Sequence, residues 1–310
     1  MGAVMRTTPG DQFANNRLTG RGGMTNRHLR MFLGVAASAV ALLALPEPAS
    51  SADLSNLASV ETPVETATGP SGDAYFYVGG LNVTDGFSDR WFLGLAANAY
   101  YSSGLGLHID TSYIDREESA GFFAAGVSAE LTPWIRAKIM GGTSSGNDGI
   151  LPEIYARGEL AITSAPDLGL VLRPSLTYRS FRNGFDEGTG QIEIARYFKP
   201  FANGGFAVGQ IGASGTYSDP GSNFGYELSA GVTYVAPNIG TIGATAVVGN
   251  MAYDSVLGPS SLSVENGFIG IRPAVSYYLG ENAELIARGE IMFTDFYDLF
   301  GGSIGIKFNF

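Results

Sequence analysis

From Asp73 to the last residue, apolar positions recur at every second residue rather than every third or fourth. In "EIYARGELAIT", Ile154, Ala156, Gly158, Leu160 and Ile162 fall on one side, with Glu153, Tyr155, Arg157 and Glu159 on the other. "WIRAKIM" divides in the same way, Ile135, Ala137 and Ile139 against Arg136 and Lys138. So does the final "SIGIKFNF", where Ile304, Ile306, Phe308 and Phe310 oppose Ser303, Lys307 and Asn309. A period of two belongs to β-strands, whose successive side chains point to opposite faces. Fourteen such segments begin near Ala74, Arg90, Gly104, Gly121, Trp134, Ile150, Leu168, Thr189, Gly205, Phe224, Thr241, Gly267, Ala283 and Gly302. Clusters of Gly, Asn, Asp, Pro or Ser separate them, as turns require. Segments nine and eleven, rich in Gly and Ala, carry the weakest contrast, and twelve strands is the alternative count.

The connections alternate in length. One set is short: "SSGL", "TP", "SAPD", "KPFANG", "APNIG" and "GENA". The other is longer and acidic, including "DREESA", "GGTSSGNDG", "SFRNGFDEG", "YSDPGSN", "AYDSVLGPSSLSVEN" and "TDFYDLFGG". Tight turns on one rim and larger loops on the other describe an outer-membrane barrel. An even strand count returns the chain to the rim where it started, and fourteen satisfies that.

Composition sharpens this picture. Only 15% of the 310 residues are charged, against about 25% in a soluble domain, so much of the surface is expected to avoid water. The predicted fold is all-β: a closed antiparallel transmembrane β-barrel over residues 73–310. Phe310 ends an alternating apolar strand, the pattern by which the barrel assembly machinery recognises its clients. Tyr75, Phe76, Tyr77, Trp91, Tyr100, Tyr101, Trp134, Tyr197, Phe198, Tyr277, Tyr278, Phe293 and Phe296 sit near strand ends and suit interfacial girdles.

The only long apolar run is "MFLGVAASAVALLAL", Met31 to Leu45, with Arg27 and Arg30 before it and small residues ending at Ala52 after it. A basic segment, an apolar core and a small-residue cleavage site describe a secretory signal peptide; the run is shorter than the roughly 20 residues of a helical span. Residues 1–52 are therefore expected to be an N-terminal extension and cleaved signal peptide, with Met1 and Met24 both available as starts. Residues 53–72 read as a flexible periplasmic lead-in. Removing 1–52 takes five of 18 Lys+Arg and two of 29 Asp+Glu, leaving 13 against 27, a net charge near −14. Such an acidic chain is not matched to nucleic acid, whose phosphates demand a basic surface.

"LRPSLTYR" and "IRPAVSYY" each place Arg-Pro inside a strand pattern. In a barrel wall, Arg173 and Arg272 can face the lumen while Pro174 and Pro273 face lipid. Proline removes a ladder donor, so each is expected at a bulge or near a rim. The echo "ARGEL" and "ARGEI" places Arg157, Glu159 and Arg173 in one predicted inward cluster, and Arg288, Glu290 and Arg272 in another. Alternation assigns the lumen Arg136, Lys138, Arg157, Arg173, Arg179, Arg272, Arg288 and Lys307, balanced by Asp110, Glu130, Glu153, Glu159, Glu193, Glu227, Glu284 and Glu290. The excess negative charge then falls in the rims, at Asp85, Asp89, Asp115, Asp186, Glu187, Asp219, Asp295 and Asp298 among others. Acidic loops there draw cations or share divalent ions with outer-membrane lipid and lipopolysaccharide.

Chemistry is sparse. His108, the only histidine after residue 52, shares a face with Asp110 and Ser112. Alternate residues on a strand stand roughly 6–7 Å apart, too far for direct nucleophile–base hydrogen bonding, so these three are expected to line the lumen. With no cysteine and no second histidine in the processed chain, neither a zinc site nor another cofactor is predicted. The expectation is a chain without enzymatic activity.

At mid-chain, "IMGGTSSGNDGILPEIYARGEL" followed by "LGLVLRPSLTYRSFRNGFDEGTGQIEIARYFKPF" resembles the YaiO-like outer-membrane barrel family. The likeness runs through a strand, a polar loop reaching Ile-Leu-Pro, a strand with an inward glutamate, an Arg/Tyr strand and a strand ending in Tyr-Phe. Membership implies a surface-embedded barrel, associated in some lineages with polysaccharide production or export. It supplies no catalytic residues. The resulting expectation is an outer-membrane channel or exit port for polar solutes, possible saccharide included, with a structural or adhesive barrel of plugged lumen as the alternative and a barrel-scaffold hydrolase third.

Overall fold

The computed structural model describes residues 71–85, 89–115, 119–145, 151–164, 169–182, 184–198, 200–219, 223–251 and 266–310. The extension and signal peptide expected over 1–52, and the lead-in up to residue 70, lie outside the described residues. Fourteen strands follow in order: β1 (Ser71–Val83), β2 (Arg90–Tyr100), β3 (Leu105–Asp115), β4 (Ser119–Thr132), β5 (Ile135–Ser145), β6 (Ile154–Thr163) and β7 (Leu170–Phe181), then β8 (Phe185–Tyr197), β9 (Phe206–Asp219), β10 (Asn223–Ala236), β11 (Gly240–Met251), β12 (Asn266–Tyr278), β13 (Ala283–Thr294) and β14 (Asp298–Asn309). Each pairs antiparallel with its sequence neighbours, and β1 pairs with β14 from Asp73↔Asn309 to Val83↔Leu299, closing the barrel. Closure leaves no sheet edge, which a wall surrounded by hydrocarbon requires. Ser71 and Gly72 already belong to β1, so the wall starts just before the boundary drawn from sequence.

The alternation predicts the faces correctly and the connections less well. Residues 101–104, 133–134, 164–169, 198–205, 237–239 and 279–282 join strands at one end. At the other, the links at 116–118, 182–184, 220–222 and 295–297 are only three residues each, and the longest is 252–265. Parts of the polar stretches expected as loops continue the strands instead, residues 143–145 in β5 and 186–188 in β8 among them, because backbone groups beyond the hydrocarbon still gain by pairing. Among the tight turns, Gly104 and Gly204 repeat one solution: each N–H donates to the aromatic residue three positions back, Tyr101 or Phe201, with φ of 77° and 79°. That left-handed backbone is open to glycine without steric cost.

The two Arg-Pro strands depart from expectation. Pro174 and Pro273 do face outward, but neither sits at a bulge or a rim. The β6–β7 ladder skips from Glu159↔Ser175 to Ile162↔Leu172, and β12–β13 from Ile271↔Ile291 to Ala274↔Arg288, with the register unchanged across each gap. The wall therefore tolerates a proline in mid-strand by letting two positions go unpaired on one side, while Pro174↔Ile192 and Pro273↔Ala244 persist on the other. A register shift does occur at Glu130/Thr132, between β4 and β5.

The outward face of the barrel is apolar, whereas the inward face mixes charged, polar and aromatic side chains. Leu176, Phe224, Ile139 and Ile242 are 72%, 62%, 62% and 61% exposed, all on the outward face. Among the described residues no helix is long and apolar enough to cross a membrane; the apolar band belongs to the strands. Outward aromatics collect towards both ends: Tyr101, Trp134, Phe201, Tyr277 and Phe310 at the short-turn rim, Trp91, Tyr113, Phe224, Phe293 and Phe300 at the other. Such belts suit the two lipid–water interfaces. Tyr75, Tyr77, Tyr100, Tyr197 and Tyr278, expected in these girdles, instead point inward with Lys307, Gly305, Gly106, Val208 and Glu284 opposite them.

Candidate functional site

The inward face is the site, and the register builds it. Residues directly opposite one another share a face, so following the partners around the closed ring identifies every inward position from one buried anchor, Tyr75. Arg136, Lys138, Arg157, Glu159, Arg173, Arg179, Glu193, Arg272, Arg288, Glu290 and Lys307 all lie on it, as do Asp110, Glu130, Glu227 and Glu284. Glu153 does not. It precedes β6 at the long-loop rim, half exposed, with its carboxylate 3.8 Å from Arg182 Nε. Three inward groups were missed by alternation alone. Asp73 and Arg90 sit at strand ends, where the pattern fades, and Glu187, expected in the rim, lies on β8 beside Arg179 at 3.6 Å. The described interior thus has nine cations and nine carboxylates. Balance survives the exchange of members.

These charges meet in compact groups. On β6–β9, Arg157 Nη2 donates to Glu159 at 3.0 Å, Arg173 Nη1 to Glu193 at 2.6 Å, and Gln210 Nε2 to Glu193 at 3.5 Å. Arg173 thus pairs with Glu193 directly opposite it, on the same face as Arg157 and Glu159. On the far side Arg272 donates through Nε to Glu290 at 2.9 Å and through Nη1 to Glu227 at 3.2 Å. Glu227 is two strands away. The guanidinium reaches it over β11, where its opposite neighbour is the short Thr245. Arg288, on the same inward face as Glu290, also meets an aromatic ring: its Cζ stands 4.9 Å from the Tyr75 ring centroid, a cation–π contact.

Apolar side chains occupy much of the rest. Tyr75 stacks on Tyr77 at 5.3 Å between centroids, Tyr77 tilts against Phe92 at 6.3 Å, and Phe122 meets Tyr155 edge-on at 5.5 Å. Ile114, Leu151 and Ile286 belong to the same buried cluster. Leu151 comes from the connection between β5 and β6. It is 2% exposed, Pro152 beside it is also fully buried, and Ser144 Oγ donates to the Leu151 carbonyl at 3.3 Å. Leu151 and Pro152 therefore fold into the mouth, a placement without a signal in the alternation.

His108, Asp110 and Ser112 do share the inward face of β3, and His108 finds its hydrogen-bond partners on the flanking strands. His108 bonds across strands, Nδ1 to Asn98 Oδ1 at 2.7 Å and Nε2 to Ser128 Oγ at 2.9 Å. Ser112 Oγ has no hydrogen bond among the described residues. Neither Asn98 nor Ser128 was singled out from sequence; period two marks their face but not their neighbours. Among the described residues no group of three His, Cys, Asp or Glu side chains could hold a metal ion.

A closed antiparallel wall, apolar outside and ion-paired within, defines a transmembrane β-barrel of the outer-membrane type. No protein-family model and no curated protein matches the chain. Similar solved structures include a bacterial polysaccharide outer membrane secretin, at TM-score 0.51 and 6% identity over 77% of this chain and 98% of that one. OccK3 (OpdO) of Pseudomonas aeruginosa aligns at 0.43 and 12%, over 78% and 95%. An anion-selective porin from Comamonas acidovorans aligns at 0.41 and 10%, over 78% and 98%. The likeness is one of fold.

Proposed function

We propose that this barrel sits in the bacterial outer membrane and acts as a passive channel or exit port for polar solutes, with saccharide the favoured class. One observation carries the reading: charged groups occur inside the wall in equal numbers and in close pairs, whereas the lipid face has none at mid-height. Paired charges offer donors and acceptors along a path without a strong net field, so a neutral, hydroxyl-rich solute can exchange partners as it moves. Conduction requires no bond-making step, and none is assigned to it. Lipid and lipopolysaccharide surround the wall in this reading, and Phe310 serves as the mark for the assembly machinery. The resemblance to YaiO-like barrels supports the saccharide class.

Planar-bilayer recording of the purified barrel tests this. Steady conductance that oligosaccharides reduce is expected; silence at every voltage would overturn it and leave the second reading, a structural barrel with a stoppered lumen. That alternative draws support from the buried Tyr75–Tyr155 cluster and from Leu151 and Pro152 folded into the mouth.

A further inference from the structure

Near the short-turn rim, five inward side chains form one row across β14, β1, β2, β3 and β4. Lys307 Nζ stands 3.9 Å from Asp73 Oδ2, and Asn98 Nδ2 donates to Asp73 Oδ1 at 3.0 Å. His108 Nδ1 is 2.7 Å from Asn98 Oδ1, and its Nε2 is 2.9 Å from Ser128 Oγ. The row has a single polarity. An ionised carboxylate only accepts, so Asn98 turns its NH2 to Asp73 and its oxygen to His108. His108 then carries its proton on Nδ1 and presents a lone pair at Nε2. Ser128 donates its hydroxyl proton into that lone pair.

A hydroxyl hydrogen-bonded to a base, whose far nitrogen is held by a third group, is the geometry of an activated nucleophile. The surroundings extend the match. Lys138 lies directly opposite Ser128 and on the same face, so the neighbouring strand carries a cation at the level of the hydroxyl, the charge that would favour a developing oxyanion. His108 and Ser128 are 4% and 3% exposed, while Glu130 and Arg136, paired at 2.6 Å, form a wetter border on the rim side. A small acyl group fits such a confined hydroxyl better than a long chain, and the charged border favours a polar leaving alcohol.

We propose that Ser128 and His108 form an acyl-transfer site at the short-turn mouth of the barrel, acting on small O-acyl esters of polar alcohols. Ser128 Oγ attacks the ester carbonyl carbon as His108 Nε2 takes its proton. The tetrahedral oxyanion, facing Lys138, collapses by breaking the C–O bond to the alcohol, which leaves with the proton from His108. Water, deprotonated by the same nitrogen, then attacks the acyl-serine; Ser128 leaves with that proton, and a carboxylic acid is released. Asn98 is a positioning residue that selects the His108 tautomer, with Asp73 fixing the Asn98 amide. The proposal does not depend on whether the lumen conducts.

The experiment treats the folded full-length barrel in detergent with diisopropyl fluorophosphate, then with 4-nitrophenyl acetate. Folding of every variant is checked by its faster migration on gels before boiling. One diisopropylphosphoryl group is expected on Ser128 of the wild type and none on Ser128→Ala. Labelling and 4-nitrophenolate release in His108→Ala should fall by about 100-fold, with added imidazole restoring them; His108→Gln serves if the alanine variant fails to fold. Asn98→Ala should slow labelling and alter its pH profile, a change that loss of a merely structural bond does not produce. A folded wild type with no adduct on Ser128, or labelling as fast in the His108 variant as in the wild type, overturns the proposal.

Discussion

Replacing Arg272 with methionine tests how the interior is held. The guanidinium bridges Glu290 at 2.9 Å and Glu227 at 3.2 Å, and the three side chains are only 5%, 13% and 6% exposed respectively. Methionine keeps most of the aliphatic stem but leaves two carboxylates facing each other without that cation. A hydrogen bond to a charged group contributes roughly 1.5–3 kcal/mol, so losing the two shorter ones costs about 3–6 kcal/mol, with a third, Nη2 to Glu227 at 3.5 Å, at the long limit. Removing one partner of a buried ion pair costs about 3–5 kcal/mol by direct comparison with such pairs elsewhere. The two routes agree on about 4 kcal/mol. Urea titration of the barrel in lipid vesicles reads it, using Trp91 and Trp134, which stand at opposite rims. A triple variant, Arg272→Met with Glu227→Gln and Glu290→Gln, removes the stranded charges and should recover most of the loss. If the single variant unfolds with the wild type, or the triple variant is no more stable than the single, the interior is not organised around this guanidinium.

Three further outcomes follow from the geometry. Leu176→Arg puts a charge on the most exposed part of the outward face and should cost about 2–4 kcal/mol in vesicles; an unchanged urea midpoint would mean that this face does not meet lipid. Leu151→Ala should cost about 2–5 kcal/mol, as large-to-small core substitutions do, and should raise single-channel conductance if Leu151 narrows the mouth; unchanged current removes that role. At Gly94 a Cβ would strike the Tyr77 ring, so Gly94→Val should abolish the fast-migrating folded band, and Tyr77→Ala should restore it in the double variant.

How much of this was legible in the sequence depends on what period two encodes. It reports the face of each residue, because a one-residue slip moves every side chain to the other side. Hence the fourteen strands, the outward prolines and nearly all inward charges could be read directly. It does not report neighbours. Glu227 meets Arg272 across an intervening strand, and His108 meets Asn98 and Ser128 on flanking strands; both require strand order and register together. The pattern also fails where alternation stops. Extending the β6 alternation one residue beyond the strand points Glu153 inward, and "FRNGFDEG" reads as a turn that would hold Glu187 although the strand resumes at Phe185. Tyr75 and Tyr77 depart from the girdle expectation for a different reason. An aromatic near a strand end suits a girdle or an interior equally well, and only the facing glycines decide: a Cβ at Gly305 would lie 2.7 Å from the Tyr75 ring, so that ring lies where β14 offers no side chain.

That last contact has a consequence for the order of events during assembly. Hairpins from β2 to β14 can zip as each segment arrives, since every partner is the next stretch of chain. The first strand cannot complete its bonds until the last has emerged, because Asp73 waits for Asn309 and the Tyr75 ring waits for the bare backbone at Gly305. Until then the sheet is an unfinished ribbon with two raw margins, and the entropy of bringing the ends together has yet to be met. Ring closure is therefore the slow, final act, and the tyrosine beside it works as a latch that engages only once the whole wall is in place.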